Sequence, residues 1–247
     1  MALYHFKASL VRRKAGQKAT RTAAYKFGEP IACARSGEVF KYDRMTRVIW
    51  KRTFAPAGAP DWVFDRAFLW NAVEHRETRT NSQVAKHYQL ALPEELGTQD
   101  HAAMLEAFAL HLVERFDLVA DCAIHLPRRE GDARNITAVV MIPTRRLEGG
   151  VFTTKIRELD VLPGAAVILT ELRKLWADIQ NAALERVGVA ARVDHRTLED
   201  QRLEAERAGD TEAARALDRM PQGKLDRVEL QQKRRKAYRE RMAGGLG

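Results

Sequence analysis

Cationic side chains surround one tyrosine near the start of the sequence. Tyr25 stands at the end of an alanine-rich segment, and six basic residues lie close to it along the chain: Arg12, Arg13, Lys14, Lys18, Arg21 and Lys26. Lysine and arginine bind phosphate groups without reading base sequence, so we favour a phosphate-binding rim over scattered solvated side chains. Taken alone, a tyrosine at a helix end is more typical of packing than of nucleophilic chemistry.

The other chemically capable residues give weaker signals. His125 ends an apolar segment, CAIH, where a histidine is more often a core or surface residue than a metal ligand. Asp194 and His195 are neighbours in an extended segment, and adjacent side chains of a strand point to opposite faces. Two cysteines are too few for a zinc knuckle or a disulfide framework, so we expect reduced thiols.

Composition favours a polyanionic partner. The chain has 247 residues, 42 Lys and Arg against 33 Asp and Glu, and a net charge of +9. Such an excess of positive charge indicates nucleic acid before a membrane surface. No apolar run approaches the roughly 20 residues of a membrane span, and the first residues lack a signal-peptide pattern. The expected location is therefore the cytoplasm.

Hydrophobic periodicity indicates the elements that would position Tyr25. Alternation over residues 2–13 predicts a first strand, and a short helix with Tyr25 near its end follows in KATRTAAYKFGE. Aromatic and β-branched residues over 36–55 predict a hairpin. A helix is expected from about Asp61 to Arg79.

The second half of the chain predicts further strands and helices. We expect strands at 84–92, 117–125 and 135–143, and helices at 99–116 and 165–187. This mixture predicts an α+β fold in which helices cover a sheet. From Leu198 onward, long charged side chains predict an exposed helical extension.

Several segments, in order, resemble the MobA/MobL family of relaxases, including nicking domains of the Ti-plasmid TraA type. Among them are LYHFKASLV, KATRTAAYKFGE, VAKHYQLALPEEL, VADCAIHLPRREGDARN and LRKLWADIQNAALERVG. The resemblance covers roughly residues 2–201. It implies a relaxase-like (HUH-type) antiparallel sheet covered by helices over residues 1–198, and the extension predicted from composition then takes up 199–247. It also implies transfer of a DNA strand to a tyrosine, which falls at Tyr25.

The metal-binding positions of this family are altered here. Relaxases of this type resemble one another in holding a divalent metal with three histidines, and the metal polarises the scissile phosphate. His125 matches the first histidine, but the other two fall at Thr137 and Val139. A further family histidine falls at Arg128, and a family acidic residue falls at His87. The resemblance thus implies a divalent metal if the protein is an active enzyme, and no cofactor otherwise.

Other residues are candidates for what remains of the site. His87 would replace a lost ligand if strand pairing placed it beside His125, whereas Arg128 would bind phosphate where the metal charge stood. Glu74 is expected to be a structural carboxylate or a support for the site. Strand alternation predicts one shared face for Thr137 and Val139.

The sequence therefore predicts a mobilization or conjugation protein that binds single-stranded or hairpin DNA at a transfer origin. Relaxosome or transfer proteins are the expected further partners, and a membrane is not. Two alternatives stay open: a metal-dependent strand transferase that forms a 5′-phosphotyrosine through Tyr25, and a non-catalytic DNA-binding assembly module.

Overall fold

The computed structural model describes residues 4–42, 47–127, 132, 134–160 and 164–218. The chain divides into two compact units. One contains residues 1–127 and 133–193, and the other contains 128–132 and 194–247. The domain boundary at residue 198 stays a prediction.

The first unit is built around an antiparallel sheet. The strands of the described residues are β1 (Phe6–Arg12), β2 (Ile31–Ala32), β3 (Val39–Phe40), β4 (Val48–Phe54), β5 (Gln83–Ala91), β6 (Ala120–His125), β7 (Thr137–Pro143), β8 (Arg145–Glu148) and β9 (Val151–Lys155). Five of them form one sheet in the order β1-β5-β7-β6-β4, with every neighbouring pair antiparallel. The pairs β2–β3 and β8–β9 form two small separate sheets. The α+β class and the antiparallel sheet are therefore confirmed.

Helices cover both faces of the large sheet. In the first unit they are α1 (Ala19–Phe27), α2 (Arg66–Arg76), α3 (Thr98–Phe116) and α4 (Gly164–Arg186). One core joins α1 and α2 to the face that carries Val139 and Met141, and the other joins α3 and α4 to the face that carries Val140 and Ile142. Strand β7 lies between the two cores, which explains why its residues are apolar on both faces.

Helix α1 depends on this packing, because nine residues are too few for a stable isolated helix. Ala19, Ala23 and Ala24 are completely buried, and their small side chains let the helix lie close to the sheet. Gly28 ends α1 with a φ of 63°, a left-handed conformation that favours glycine. Tyr25 consequently lies in the last turn, as the sequence predicts.

The predicted hairpin over residues 36–55 is wrong. Strand β3 pairs with β2, whereas β4 pairs with β6 and forms an edge of the large sheet. The predicted helix from Asp61 to Arg79 is divided into a 3-10 turn, Asp61–Phe64, and α2. The β8–β9 hairpin had no counterpart in the sequence prediction. Alternation identifies strands, but the choice of partner depends on which sheet edges remain open.

The described part of the second unit is helical and charged. It contains α5 (Leu198–Arg207) and α6 (Thr211–Leu217). Thr197 caps α5 and Asp210 caps α6, each accepting a backbone N–H at the start of its helix. These features confirm the charged helical extension as far as residue 218. No helix of the described ranges has the length and apolar character needed to cross a membrane.

Candidate functional site

Glu74 fixes the beginning of α1. Its carboxylate is buried and accepts a hydrogen bond from the backbone N–H of Ala19, the first residue of the helix. The same carboxylate binds the Arg13 guanidinium, with 2.6 Å between Oε2 and the nearer nitrogen. Arg13 also donates to the carbonyl oxygens of Glu77 and Arg79. Glu74 therefore positions α1, and Arg13 belongs to this buried network rather than to the solvent-facing rim expected from the sequence.

His125 fixes the other end of the same helix. Its Nε2 donates to the carbonyl oxygen of Lys26 at 2.7 Å. Because a carbonyl only accepts, Nε2 carries the proton and Nδ1 is the ring nitrogen left for another partner. The helix that carries Tyr25 is thus attached to strand β6 beside Tyr25 itself.

Tyr25 lines a pocket of about 450 Å³. The pocket is lined by Leu10, Val11, Ala15, Gly16, Gln17, Lys18, Arg21, Thr22, Tyr25, Tyr42 and His87. The Tyr25 ring meets Tyr42 edge to face, with 5.4 Å between ring centroids, and 36% of Tyr25 is exposed. Tyr42 was not a sequence candidate, because it follows the short β2–β3 pair and no local pattern marks it. The two rings together form an aromatic surface beside cationic groups.

The altered family positions lie together on the face of the sheet covered by α1. His125 pairs directly with Thr137, and Val139 lies between Ala123 and Gln89 on the neighbouring strands. Thr137 and Val139 therefore share one face with His125, as strand alternation predicts. The backbone for a three-ligand site is present, with hydroxyl and alkyl groups where two imidazoles would be.

His87 is not beside His125, so the condition under which it would replace a lost ligand is not met. It pairs with Ser9 and with Met141, which places it four residues along the strands and two strands across from His125. Standard strand spacings make the Cα–Cα separation about 16 Å. Two imidazoles whose nitrogens must each approach a metal to about 2 Å cannot span that distance. The histidine lines the Tyr25 pocket instead, and its Nδ1 is buried without a hydrogen-bond partner.

The donor set does not fit the metal that the fold family implies. Over the described ranges, no group of three or more His, Cys, Asp or Glu side chains could hold an ion. Thr137 offers a weak neutral oxygen and Val139 offers none, so His125 is left as a single strong donor. One imidazole does not hold a divalent ion tightly.

The charges that act on His87 and His125 are positive. Burial, together with the charges of Lys26 and Lys7, lowers the pKa of His87 to about 4. Burial likewise lowers the pKa of His125 to about 4, with contributions from Lys26 and Arg47. Both imidazoles are therefore neutral near pH 7. The ammonium group of Lys26 lies within electrostatic reach of both histidines and 5.9 Å from the centre of the Tyr25 ring.

The other basic residues predicted to bind DNA differ in their exposure to solvent and in their contacts within the protein. Arg12 and Lys14 are exposed. Arg21 is exposed and lies over Phe40 with its Nε 3.5 Å from the Tyr42 hydroxyl. Lys18 is paired with Glu38. Arg128 lies outside the described residues, so its expected role stays a prediction.

Lys7 was missed as a candidate although the sequence contains a signal for it. Strand alternation puts Lys7 on the same face as Val11, which is buried under α1. The register pairs Lys7 with Gln89 on β5, and the Lys7 side chain itself is exposed.

Comparison with known proteins agrees with this fold. Mobilization protein MobL of Acidithiobacillus ferridurans is 31% identical over 232 aligned residues, covering 83% of this chain and 61% of that protein. This chain thus spans about three fifths of the length of that relative. A structure described as the molecular basis of vancomycin resistance transfer in Staphylococcus aureus matches with a TM-score of 0.70 and 28% identity, covering 79% of this chain and 99% of that one.

A more distant structure shares the fold. The conjugative relaxase TrwC, complexed with a 27-mer DNA comprising the recognition hairpin and the cleavage site, matches with a TM-score of 0.52 at 11% identity, covering 96% of this chain and 98% of that one. Residues 17–216 match the MobA/MobL family. The match covers most of the chain and includes α1 with Tyr25 and the strands with the altered histidine positions, so this chain belongs to the MobA/MobL family.

Proposed function

We propose that this chain is a DNA-binding member of a mobilization system. It binds single-stranded or hairpin DNA of a transfer origin in the cytoplasm, together with relaxosome or transfer proteins. Support comes from its family, from the mobilization protein it resembles and from the DNA held by a relaxase of the same fold. A net charge of +9 suits a phosphate backbone.

The observation that carries the proposal is the altered donor set on an otherwise retained scaffold. Tyr25 keeps an exposed ring on an anchored helix, whereas Thr137 and Val139 replace two metal ligands. An unassisted phenol has an ordinary pKa of about 10, so phosphate attack near neutral pH needs help from a metal or base. The surroundings of Tyr25 therefore support DNA binding better than metal-dependent nicking.

The exposed basic and aromatic residues in and around the Tyr25 pocket suit a flexible DNA strand. Arg12, Lys14 and Arg21 would contact phosphates, and the Tyr25 and Tyr42 rings would stack against a base. Stacking and phosphate contacts tolerate many sequences. Recognition of one origin would then depend on hairpin shape and on further contacts.

Binding is tested with fluorescein-labelled oligo(dT) and a labelled DNA hairpin, using anisotropy at several salt concentrations. We expect affinity for both probes to fall steeply with salt, because bound phosphates release condensed counterions. Charge reversal at Arg12 and Lys14 should reduce the affinity for both probes about equally. Lys174→Glu on α4, which covers the opposite face of the sheet, is the matched control. Affinity that does not change with salt would overturn the proposal.

Catalysis is tested by a covalent-adduct assay on the same probes and on supercoiled plasmid carrying the transfer origin. We expect no denaturant-resistant complex from the wild type or from Tyr25→Phe, with manganese or with EDTA. DNA binding should be nearly equal in the two proteins. An adduct that forms in the wild type and vanishes in Tyr25→Phe would establish the alternative, a strand transferase acting through Tyr25.

A further inference from the structure

Two lysines near Tyr25 stand apart from the ion pairs of the described residues. Lys26 is half-buried in the last turn of α1, and Lys7 is exposed on β1, on the same face of the sheet as Val11. Within the described residues, no ion pair includes either side chain, although Lys18, Lys51, Lys86, Lys155 and Lys174 are all paired with carboxylates. Burial and the nearby charge of Lys7 lower the pKa of Lys26. The protein therefore holds one half-buried ammonium group, that of Lys26, within electrostatic reach of the like charge of exposed Lys7.

Packing alone does not explain this arrangement. A cation in the last turn of a helix is favoured by the helix dipole, but this effect is small and offsets only part of the cost of burying Lys26. Lys7 is exposed on β1, and its positive charge disfavours the charged form of Lys26 instead of compensating it. An unpaired, partly desolvated charge is costly unless an opposite charge joins it. The missing opposite charge is best supplied by a ligand.

The surroundings identify the chemistry of that ligand. His87 lies on the neighbouring strand, diagonally across from Lys7 and directly opposite Ser9, and has a buried Nδ1 without a partner. The Lys26 ammonium lies 5.9 Å from the centre of the Tyr25 ring. Lysines, a neutral imidazole and hydroxyl groups together suit an anion that has several oxygen acceptors. Lysine ammonium groups are common phosphate binders in proteins.

We propose that Lys26 and Lys7 form a built-in cationic site that binds one phosphodiester group of the DNA strand beside Tyr25, in the region where relatives would hold a metal. This inference rests on the proposed function, and it assigns the Lys26–phosphate contact as one on which DNA binding depends. It also gives the altered ligands a reason, since a fixed ammonium supplies positive charge that needs no imidazole ligands. DNA binding should then require no divalent ion.

The test measures oligo(dT) binding by the intact chain and by three variants. Lys26→Gln should weaken binding roughly tenfold, because a charged hydrogen bond to phosphate is lost. Its plot of log affinity against log salt should become shallower by about 0.7, the slope for one phosphate of a single strand. Lys26→Arg should keep most of the affinity. Lys174→Gln removes an equal charge from α4 and should change affinity less than twofold.

Two further measurements complete the test. EDTA and manganese should leave wild-type affinity unchanged, and thermal unfolding should show that Lys26→Gln remains folded. Inorganic phosphate, compared with chloride at equal ionic strength, should displace oligo(dT) from the wild type but not from Lys26→Gln.

The possible failures are distinguishable. Absence of salt-dependent DNA binding by the wild type would contradict the proposed function. Strong wild-type binding with equal effects of Lys26→Gln and Lys174→Gln would overturn the Lys26–Lys7 site alone. If inorganic phosphate protected the wild type against thermal unfolding while Lys26→Gln bound oligo(dT) normally, the site would bind free phosphate and the DNA assignment would be wrong.

Discussion

Asp121 and His125 lie four residues apart on β6 and face the same side of the sheet, yet their surroundings are opposite. Asp121 is completely buried and accepts hydrogen bonds from Arg66, Trp70 and Thr53 at 2.8 to 3.0 Å. His125 bonds to one backbone carbonyl, and the charges that act on it, Lys26 and Arg47, are both positive.

The difference distinguishes polar groups that stabilise the fold from polar groups that are available to bind a ligand. Around Asp121 the chain provides a counter-charge and a donor for each available oxygen, and Arg66 continues the network to Glu29 and Lys51 at the surface. Around His125 the cations accumulate without described carboxylates beside them. The first arrangement is complete within the protein, whereas the second has positive charge left for the DNA phosphate that we propose.

The largest effect should follow from breaking the complete network. Arg66→Met leaves the Asp121 carboxylate buried without its cation and removes the stacking of Arg66 on Phe27, so we expect a loss of about 3 to 5 kcal/mol in the free energy of unfolding. Urea unfolding followed by tryptophan fluorescence measures this loss. Lys51→Met removes the exposed end of the same network and should cost about 1 kcal/mol or less. Similar costs for both variants would contradict the comparison.

Acid should destabilise the protein, because His87 and His125 are neutral in the folded state. His87 and His125 have folded pKa values of about 4, against roughly 6.5 in an unfolded chain. Between pH 6.5 and 4 the unfolded chain binds protons that the folded one excludes, so the free energy of unfolding falls as the pH falls. The facing cations Lys7, Lys26 and Arg47 oppose protonation throughout this window. Each histidine should contribute about 2 to 3 kcal/mol to this loss.

Unfolding free energies at pH 7 and pH 4.5 measure the effect. Replacing His87 and His125 with Gln should remove most of the decline, whereas His111→Gln on α3, a far less buried histidine, should retain it. An unchanged decline in the double variant would assign the acid sensitivity to other groups.

Periodicity predicted β5, α3, the β6–β7 pair and α4 to within about three residues at each end. Those elements bury continuous apolar faces, so each segment contains most of the information about its own structure. The β4 partner was missed because strand pairing is decided between distant segments. The β8–β9 hairpin was missed because its short strands carry little periodic signal.

The geometry of the site was likewise predictable where it depends on one segment, and not where it depends on the placement of distant segments. The shared face of Thr137 and Val139 was predictable, because side-chain alternation is a local property of a strand. The separation of His87 from His125 was not, because it depends on the register of three strands. Glu74 was identified as a candidate, but its bonds to Arg13 and Ala19 required the placement of α2 against α1.

Restoring the metal ligands should succeed only after the cation is removed. The β7 backbone can present Thr137→His and Val139→His beside His125, but the Lys26 ammonium would repel a divalent ion there. We expect Thr137→His/Val139→His to bind manganese weakly, and the triple variant with Lys26→Gln to bind at least about tenfold more tightly. Isothermal titration calorimetry measures both affinities, and Lys174→Gln in the double-histidine background is the control. Equal affinity in all three proteins would show that Lys26 does not act at the metal position.

The smallest effect concerns the stability of the free protein, and its sign is what matters. If Lys7 and Lys26 repel one another in the absence of a ligand, Lys7→Gln should raise the free energy of unfolding by about 0.5 kcal/mol at low salt while weakening DNA binding. High salt should remove the gain, because screening weakens interactions between exposed charges. Lys174→Gln should instead lower the free energy of unfolding by about 0.3 to 0.5 kcal/mol, since Lys174 has an acidic partner at Asp178 one turn along α4. Urea unfolding at two ionic strengths distinguishes the two signs. A loss of stability in Lys7→Gln would mean that Lys7 contributes to the fold itself, because a residue retained for a ligand is expected to cost the unliganded protein stability.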